Sequence, residues 1–201
     1  MYINFWYPVA LTEELKDEPI RARILGQNFV VFRDSKGQAH TLSDTCPHRG
    51  GALSAGVIRG DCIQCPYHGW RYDGEGYCRR IPSLGKDAKI PKRARVDAYP
   101  TQEQNGIVFT FLGDLEEKKR PPIMPIKELE DPESWRANWI TYEADINFER
   151  SIENGLDAAH NEFVHPTHGH EGADEDYQVN YLDFVDNIFG EISFNILNED
   201  I

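Results

Sequence analysis

Two short Cys/His pairs constrain the fold of this chain more than any other feature. The first pair is Cys46-Pro-His48 and the second is Cys65-Pro-Tyr-His68, with sixteen residues between them. Each pair lies in a stretch that also contains Pro and Gly, which are typical of tight loops. We therefore expect two loop tips that approach each other from opposite sides, each contributing one Cys and one His to a shared site.

The ligand types identify the chemistry of that site. Two thiolates on one iron and two imidazoles on the other are the ligands of a [2Fe–2S] cluster of the Rieske kind, whose neutral imidazoles raise the reduction potential. The alternative is a structural Cys2His2 zinc site, but zinc sites usually pair Cys with Cys and His with His at longer spacings. The pattern favours the cluster, with Cys46, His48, Cys65 and His68 as its metal ligands.

Composition excludes some functions and predicts a location. The formal net charge of −13 and the pI of about 4.9 make nucleic acid an unexpected partner. This acidity predicts, weakly, that a redox partner would present a basic patch. We find no signal peptide at the N-terminus and no apolar run long enough to span a bilayer, so we expect a cytoplasmic protein. Cys62 and Cys78 are expected to be ordinary reduced thiols.

Many short apolar stretches, separated by regular turn signals, precede residue 116. They predict a small antiparallel β domain over residues 1–115. The expected strands are a hairpin over 20–33 that turns at Gly26, followed by 40–42, 57–58, 62–63, 70–72, 94–99 and 106–112.

The composition changes after the β domain. Residues 116–134 contain a charge run and four prolines, and they predict an exposed connector between domains. Beyond the connector we expect a strand near 135–145, a helix over 148–164 and a hairpin with arms at 178–185 and 188–197. Together these elements predict the α+β class.

The predicted helix carries a second group of polar residues. Asn154, Asp157 and His160 are spaced by three, and His165 follows five residues after His160. On an ideal helix the two imidazoles would point about 140° apart, so binding one metal would require the helix to unwind or to carry a π-type turn. From spacing alone, a solvated polar helix face is an equally good interpretation.

Both groups resemble motifs of one family. The stretches Cys46-Pro-His-Arg-Gly-Gly-Ala-Leu-Ser and Cys65-Pro-Tyr-His-Gly-Trp-Arg-Tyr-Asp-Gly resemble the Rieske non-haem iron oxygenases, which include the large subunits of aromatic-ring-hydroxylating dioxygenases. The run from Asn154 to His165 resembles the iron-site helix of that family, in which an Asp is followed by two His.

The resemblance implies a catalytic role for the second group. His160 and His165 would bind a mononuclear Fe(II), and Asp157 would bridge electron transfer to the cluster of a neighbouring subunit. Asn154 would support these ligands. Residues 135–201 would begin an incomplete, helix-grip-like catalytic domain, because the family's carboxylate ligand comes from a later helix. We read the acidic residues near Glu171 as a solvated loop.

The implied function is that of an oxygenase component. An NAD(P)H-dependent reductase, directly or through a ferredoxin, would reduce the cluster, and the cluster would supply Fe(II) for O2-dependent hydroxylation or demethylation of an organic, aromatic substrate. The family also implies a homotrimer for the whole protein. The rival hypothesis is a ferredoxin-like electron-transfer protein, against which the second metal-ligand group argues.

Overall fold

The computed structural model describes residues 3–136, 144–157, 160–164, 182–186 and 192–196. Within the chain, two compact units can be distinguished, Met1–Arg136 and Ala137–Ile201. The four cluster-ligand candidates all lie in the first unit, and the candidates for the mononuclear iron site all lie in the second.

Over the described residues, the first unit contains eleven short strands. They form three antiparallel sheets with the strand orders β1-β11-β10, β2-β3-β4-β9 and β5-β6-β7-β8, which confirms the predicted antiparallel β domain. The strands are β1 (Phe5–Leu11), β2 (Ile20–Ile24), β3 (Gln27–Arg33), β4 (Ala39–Ser43), β5 (Val57–Arg59), β6 (Cys62–Gln64), β7 (Arg71–Asp73), β8 (Cys78–Arg80), β9 (Ala98–Tyr99), β10 (Thr101–Gln104) and β11 (Ile107–Leu112).

Strand β3 contributes to two hydrophobic cores. Phe29, Val30, Val31 and Phe32 are all fully buried, because side chains alternate across a strand and both faces of β3 are covered. Phe29 and Val31 pack in one core with residues of β1, β2 and β11. Val30 and Phe32 pack in the other, which we call the cluster-side core; it consists of Val30, Phe32, Leu42, Cys46, Leu53, Ile63, Cys65, Tyr72, Cys78, Ile81, Ala94 and Val96.

Strands β1 and β10 are absent from the sequence-based prediction. Pro8 interrupts the pattern of β1, and the structure accommodates the irregularity with a register shift between Pro8 and Ala10 opposite β11. Strand β10 has the polar sequence Thr-Gln-Glu-Gln, but the turn at Asn105 and Gly106, both with positive φ, folds it back onto β11. A turn with positive φ at both central residues matches the twist of a hairpin.

The predicted strand over residues 94–99 is wrong for most of its length, since only Ala98–Tyr99 forms a strand. Residues 94–96 instead bond to the turn between β7 and β8. The amide of Val96 donates to the carbonyl of Gly76 at 2.9 Å, and the amide of Cys78 donates to the carbonyl of Ala94 at 3.0 Å. These hydrogen bonds hold residues 94–96 against the cluster-side core without forming a paired strand.

Part of the predicted connector is not exposed. The indole nitrogen of Trp6 donates to the carbonyl of Pro121 at 2.7 Å, and Ile123 is buried. The guanidinium of Arg120 lies 5.3 Å from the centre of the Phe111 ring. Residues 120–123 therefore pack onto the β domain within the first unit. A short helix, α1 (Lys127–Glu130), follows them.

In the second unit the predicted helix over 148–164 is interrupted. Helix α2 (Phe148–Leu156) ends where Asp157 adopts an extended conformation, with φ −87° and ψ 97°, and helix α3 (Asn161–Val164) starts after His160. The side chain of Asn147 accepts from the amide of Glu149 and caps α2. We predicted a strand over 135–145. Residues 137–143 lie outside the residues that the structure describes, and the described residues of this range form no strand.

The predicted C-terminal hairpin is confirmed for its paired strands. Strands β12 (Leu182–Asp186) and β13 (Ile192–Ile196) are antiparallel, with Phe184 opposite Phe194. A search of the helices in the described ranges finds none with the length and apolar character needed to cross a membrane.

Candidate metal centre

Two loops with the same backbone pattern carry the cluster-ligand candidates. In the first loop, the carbonyl of Cys46 accepts from the amide of Gly50 at 2.9 Å, and the amide of Cys46 donates to the carbonyl of Gly51 at 2.9 Å. In the second loop, the carbonyl of Cys65 accepts from Gly69 at 3.1 Å, and its amide donates to Trp70 at 2.8 Å. The bonds connect the same relative positions, so the two loops place their Cys residues equivalently, whereas His48 follows Cys46 by two residues and His68 follows Cys65 by three.

A glycine makes each of these turns possible. Gly50 and Gly69 both have a φ of +70°, a left-handed conformation that costs an L side chain about 1–2 kcal/mol. At Gly51 a different constraint applies, because a Cβ there would lie 3.1 Å from the sulfur of Cys65. The first loop therefore approaches the second ligand Cys closely.

The two thiols meet at the base of the loops. Cys46 and Cys65 are each 2% exposed and belong to the cluster-side core. Burial raises the pKa of the Cys65 thiol, and the neighbouring Cys46 thiol raises it further, while the backbone amides of Tyr67 and His68 act in the opposite direction. Amides that stabilise a thiolate here would equally stabilise a sulfur bound to iron.

The two imidazoles meet nearer the surface. The ring centroids of His48 and His68 are 4.4 Å apart. The His48 ring stacks on the indole of Trp70, with centroids 4.5 Å apart and an interplanar angle of 8°. Desolvation lowers the pKa of His48, and the positive charges of His68 and Arg49 lower it further. The neutral imidazole, which is the metal-binding form, is therefore favoured.

One buried atom tests whether these residues fit a metal. The Nδ1 atom of His48 is buried and has no hydrogen-bond partner among the described residues, an arrangement that costs about 1–3 kcal/mol unless something satisfies it. A metal bound at this nitrogen would remove that cost. Because the thiols pair with each other and the imidazoles with each other, the four side chains fit a cluster that has two Cys on one iron and two His on the other.

A buried carboxylate closes the first loop. Asp44 is 3% exposed and accepts from both the amide of Ser54, at 2.6 Å, and its hydroxyl, at 2.8 Å. The amide of Leu53 also donates to the Asp44 carbonyl at 2.8 Å. These bonds join the two ends of the loop that contains Cys46 and His48.

The second candidate site lies around the break between α2 and α3. Asp157 and His160 come together there, with a carboxylate oxygen of Asp157 3.6 Å from Nδ1 of His160. Asn154 lies in the last turn of α2, where its carbonyl accepts from the amide of Asp157 at 3.3 Å. His165, the second imidazole predicted for this site, lies outside the described residues, as does the acidic loop near Glu171.

Comparisons with known proteins agree with the geometry of the two loops. The Rieske [2Fe-2S] domain family matches residues 5–100. The 4beta-methylsterol monooxygenase of Methylococcus capsulatus is 36% identical over 164 residues, which cover 81% of this chain and 44% of that protein. The oxygenase component of 3-ketosteroid-9-alpha-monooxygenase from Rhodococcus rhodochrous is 34% identical and is covered to 43%, with 80% of this chain aligned.

The chain belongs to the Rieske non-haem iron oxygenase family. Among solved structures, dicamba monooxygenase bound to dicamba matches this Rieske oxygenase chain with a TM-score of 0.72 and 30% identity, covering 81% of this chain and 48% of that one. The Rieske oxygenase chain thus spans less than half the length of these relatives.

The same comparisons indicate the cofactors of the family. Dicamba monooxygenase has been solved with non-haem iron, and the matching domain is that of a [2Fe–2S] cluster. The matching domain assigns a [2Fe–2S] cluster to this Rieske oxygenase chain, and the non-haem iron is a property of that relative. The relatives described as an oxygenase component and an oxygenase subunit are parts of multicomponent systems.

Two residues that shape the cluster site were not predicted as functional. The hydroxyl of Tyr72 lies 3.3 Å from the sulfur of Cys46, and Trp70 stacks on His48. Both occur in the Gly-Trp-x-Tyr stretch that follows the second pair, which supported the family resemblance. Their roles depend on contacts across loops and strands, which the spacing of residues does not reveal.

Proposed function

We propose that the protein is the oxygenase component of a multicomponent system, which hydroxylates or demethylates an organic, aromatic substrate with O2. The observation that carries this proposal is that the two loops bring thiol beside thiol and imidazole beside imidazole. The same chain also carries Asp157 and His160 at a helix break. A ferredoxin-like function is the alternative, and it would leave that second pair without a role.

In this proposal Cys46 and Cys65 hold one iron of the cluster and His48 and His68 hold the other. When bound, the cluster supplies one-electron transfer at a potential above that of an all-Cys cluster. The chain's own groups adjust that potential. The Tyr72 hydroxyl lies 3.3 Å from the Cys46 sulfur and would donate to it as a thiolate, and the amides of Tyr67 and His68 point at the Cys65 sulfur. Each donor favours the reduced, more negative state.

His160 and His165 would hold the mononuclear Fe(II), which supplies O2 activation when bound. The extended backbone at Asp157 changes the direction of the chain between α2 and α3, so His160 does not lie on a continuation of α2. Asp157 would connect the iron site to a cluster in a neighbouring subunit, and Asn154 would hold the helix end in place. A carboxylate outside these residues would complete the usual two-His, one-carboxylate set.

The partners and location complete the proposal. An NAD(P)H-dependent reductase, with or without a ferredoxin, would deliver electrons, and the whole protein would act as a homotrimer. A cytoplasmic location is supported by Cys62 and Cys78, which lie outside the ligand set and form no disulfide, since a reducing compartment keeps thiols unpaired.

The cluster assignment is tested with the 201-residue protein, reconstituted anaerobically with iron and sulfide. We expect a red-brown protein with about two irons and two labile sulfides per chain. Cys46→Ser should lose the cluster, because it removes a thiolate ligand. Cys62→Ser is the matched control, since Cys62 is half-buried on β6 outside the ligand loops, and it should retain the cluster. A colourless zinc protein, or equal loss in both variants, would refute the assignment.

The oxygenase assignment is tested on a protein that contains this sequence and spans the full length of the matched relatives. Asp157→Ala should leave both metal sites occupied but reduce substrate-dependent O2 uptake at least 100-fold, because it removes the proposed link between the sites. Glu153→Ala is the control, since its exposed side chain pairs with Arg150 one turn earlier in α2. Normal turnover in Asp157→Ala would remove Asp157 from the mechanism, and loss of mononuclear iron would make it a ligand.

A further inference from the structure

The segment between β8 and β9 has a charge opposite to that of the chain as a whole. Residues 79–95 contain seven cationic residues and one carboxylate, Asp87, which gives a formal charge of +6, whereas the whole chain carries −13. We call this stretch the basic segment. Its cationic residues are Arg79, Arg80, Lys86, Lys89, Lys92, Arg93 and Arg95.

Most of this positive charge is not neutralised locally. Arg79 pairs with Asp73, and Arg95 lies over the ring of Tyr77 at 4.9 Å. Four other cations of the basic segment are exposed and form no ion pair with any residue that the structure describes: Lys86, Lys89, Lys92 and Arg93. Unpaired surface charges of one sign give a local field that attracts an oppositely charged partner.

The basic segment borders the cluster ligands. Ile81 is buried in the cluster-side core and Ile90 packs against it, so the segment is anchored directly over that core. Pro82 packs on Gly69, the residue after His68, and a Cβ on Gly69 would lie 3.1 Å from its ring. Pro82 therefore holds the first part of the basic segment beside the second ligand loop.

Two exposed apolar side chains, Tyr67 on the second ligand loop and Leu84 two residues after Pro82, accompany this part of the basic segment. Tyr67 is 65% exposed and its ring packs on His68, with centroids 4.0 Å apart. Leu84, in the short 3₁₀ helix Pro82–Leu84 of the basic segment, is 53% exposed. Small interfaces with an apolar centre and complementary charges are typical of transient electron-transfer complexes, in which charge speeds encounter more than it strengthens binding.

We propose that the basic segment, with Tyr67 and Leu84, is the docking surface for an acidic one-electron donor protein. This inference rests on the proposed function and specifies the partner of its cluster. On docking, the reduced donor gives up one electron and becomes oxidised, the bound cluster is reduced by one electron, and no bond or proton changes place. The net negative charge of the whole chain predicts a basic partner. The local positive charge of the basic segment predicts an acidic one.

The test uses the cluster-loaded protein and photoreduced plant-type [2Fe–2S] ferredoxin as the acidic donor. The rate constant for cluster reduction is measured by stopped flow at increasing salt concentrations. Lys86→Glu/Lys89→Glu/Lys92→Glu should lower this rate at least tenfold at low salt and remove its decrease with salt. The matched control is Lys16→Glu/Lys118→Glu/Lys127→Glu, which makes the same change in net charge at exposed lysines outside the basic segment; its rate should stay within twofold.

Complete reduction of each variant by dithionite, with an unchanged visible spectrum, shows that its cluster is intact. A protein without a cluster would refute the proposed function, whereas an intact cluster with a donor rate that is insensitive to salt would refute only the docking surface. Equal slowing in both triple variants would also refute it, because net charge alone would then account for the effect. Binding to phosphatidylserine vesicles that is lost in the basic-segment variant, with an unchanged donor rate, would assign the surface to membranes instead.

Discussion

The buried hydroxyl of Tyr72 is well placed to adjust the charge at a Cys46 thiolate. The residue is fully buried on β7, and its oxygen lies 3.3 Å from the Cys46 sulfur. Burial raises the pKa of the Tyr72 phenol, and the neighbouring Cys46 thiol raises it further. The phenol therefore stays protonated and can donate to the sulfur, which gains negative charge when a bound cluster is reduced.

Tyr72→Phe should keep the cluster but lower its midpoint potential. Loss of one hydrogen bond worth about 1 kcal/mol more in the reduced state corresponds to roughly 40 mV for a one-electron couple. The potential is measured by anaerobic titration followed by visible circular dichroism. Tyr99→Phe is the control, because Tyr99 packs against Phe29 and the other core. A potential in Tyr72→Phe equal to that of the wild type would show that the hydroxyl does not act on the sulfur.

Among single residues, the sequence indicated the ligand candidates but not the residues that contact them. Cys46, His48, Cys65 and His68 are found by type and spacing, and the structure brings them together on two loops. Trp70 and Tyr72 act through a ring stack and a hydrogen bond to residues more than twenty positions away. Such contacts are set by the pairing of strands, which spacing along the chain does not encode.

The first ligand loop depends on the bonds between its two ends. Asp44 and Ser54 lie on either side of the stretch that contains Cys46 and His48, and the carboxylate of Asp44 accepts both the amide and the hydroxyl of Ser54. The nearest cation is Arg21, 3.6 Å away, whose side chain is mostly exposed. The two bonds from Ser54 are thus the main compensation for burying this charge.

Asp44→Ala should destabilise the loop and weaken retention of the cluster. Loss of bonds to a buried carboxylate costs about 1.5–3 kcal/mol each, so we expect a clearly lower Tm and faster bleaching of the cluster under a chelator. Asp61→Ala is the matched control, because Asp61 also accepts from a serine, Ser35, but on an exposed surface. Asp44→Asn should recover part of the lost Tm, because its amide oxygen can still accept one hydrogen bond from Ser54. Equal bleaching rates in Asp44→Ala and Asp61→Ala would argue against a role for the loop closure.

Apolar patterns predicted most strands of the first unit, and their failures have physical causes. A polar edge strand such as β10 carries no apolar alternation, and only its turn at Asn105 and Gly106 marks it. The stretch over 94–99 is apolar but is mostly not a strand. Its side chains Ala94 and Val96 are buried in the cluster-side core, while its backbone bonds to a turn. The predicted helix over 148–164 breaks at Asp157 and resumes at Asn161, because Asp157 takes an extended conformation that the spacing of residues along the chain does not encode.

For the molecule as a whole, the first unit extends beyond the β domain expected from the sequence. Composition placed its end near residue 115, because prolines and charges follow. The structure instead packs residues 120–123 onto the sheet of β1, β10 and β11 through Trp6 and Phe111. Proline-rich composition predicts irregular backbone correctly, but it does not distinguish an exposed connector from a strap that lies against a domain.

This difference predicts the shortest fragment that holds the cluster with full stability. Residues 1–136 contain the four cluster ligands, both cores and the packed strap. Residues 1–115 lack the bond from Trp6 to Pro121 and the buried side chain of Ile123. Burial of an Ile side chain contributes about 1.5–3 kcal/mol and the hydrogen bond about 1 kcal/mol. The shorter fragment should therefore be less stable by roughly 2–4 kcal/mol, whereas fragment 1–136 should match the 201-residue protein in cluster content and spectrum.

Stability is measured by denaturant unfolding of the cluster-loaded forms, followed through visible absorption. Equal stability of the two fragments would show that the strap contributes nothing, and loss of the cluster from fragment 1–136 would make residues 137–201 necessary for the site.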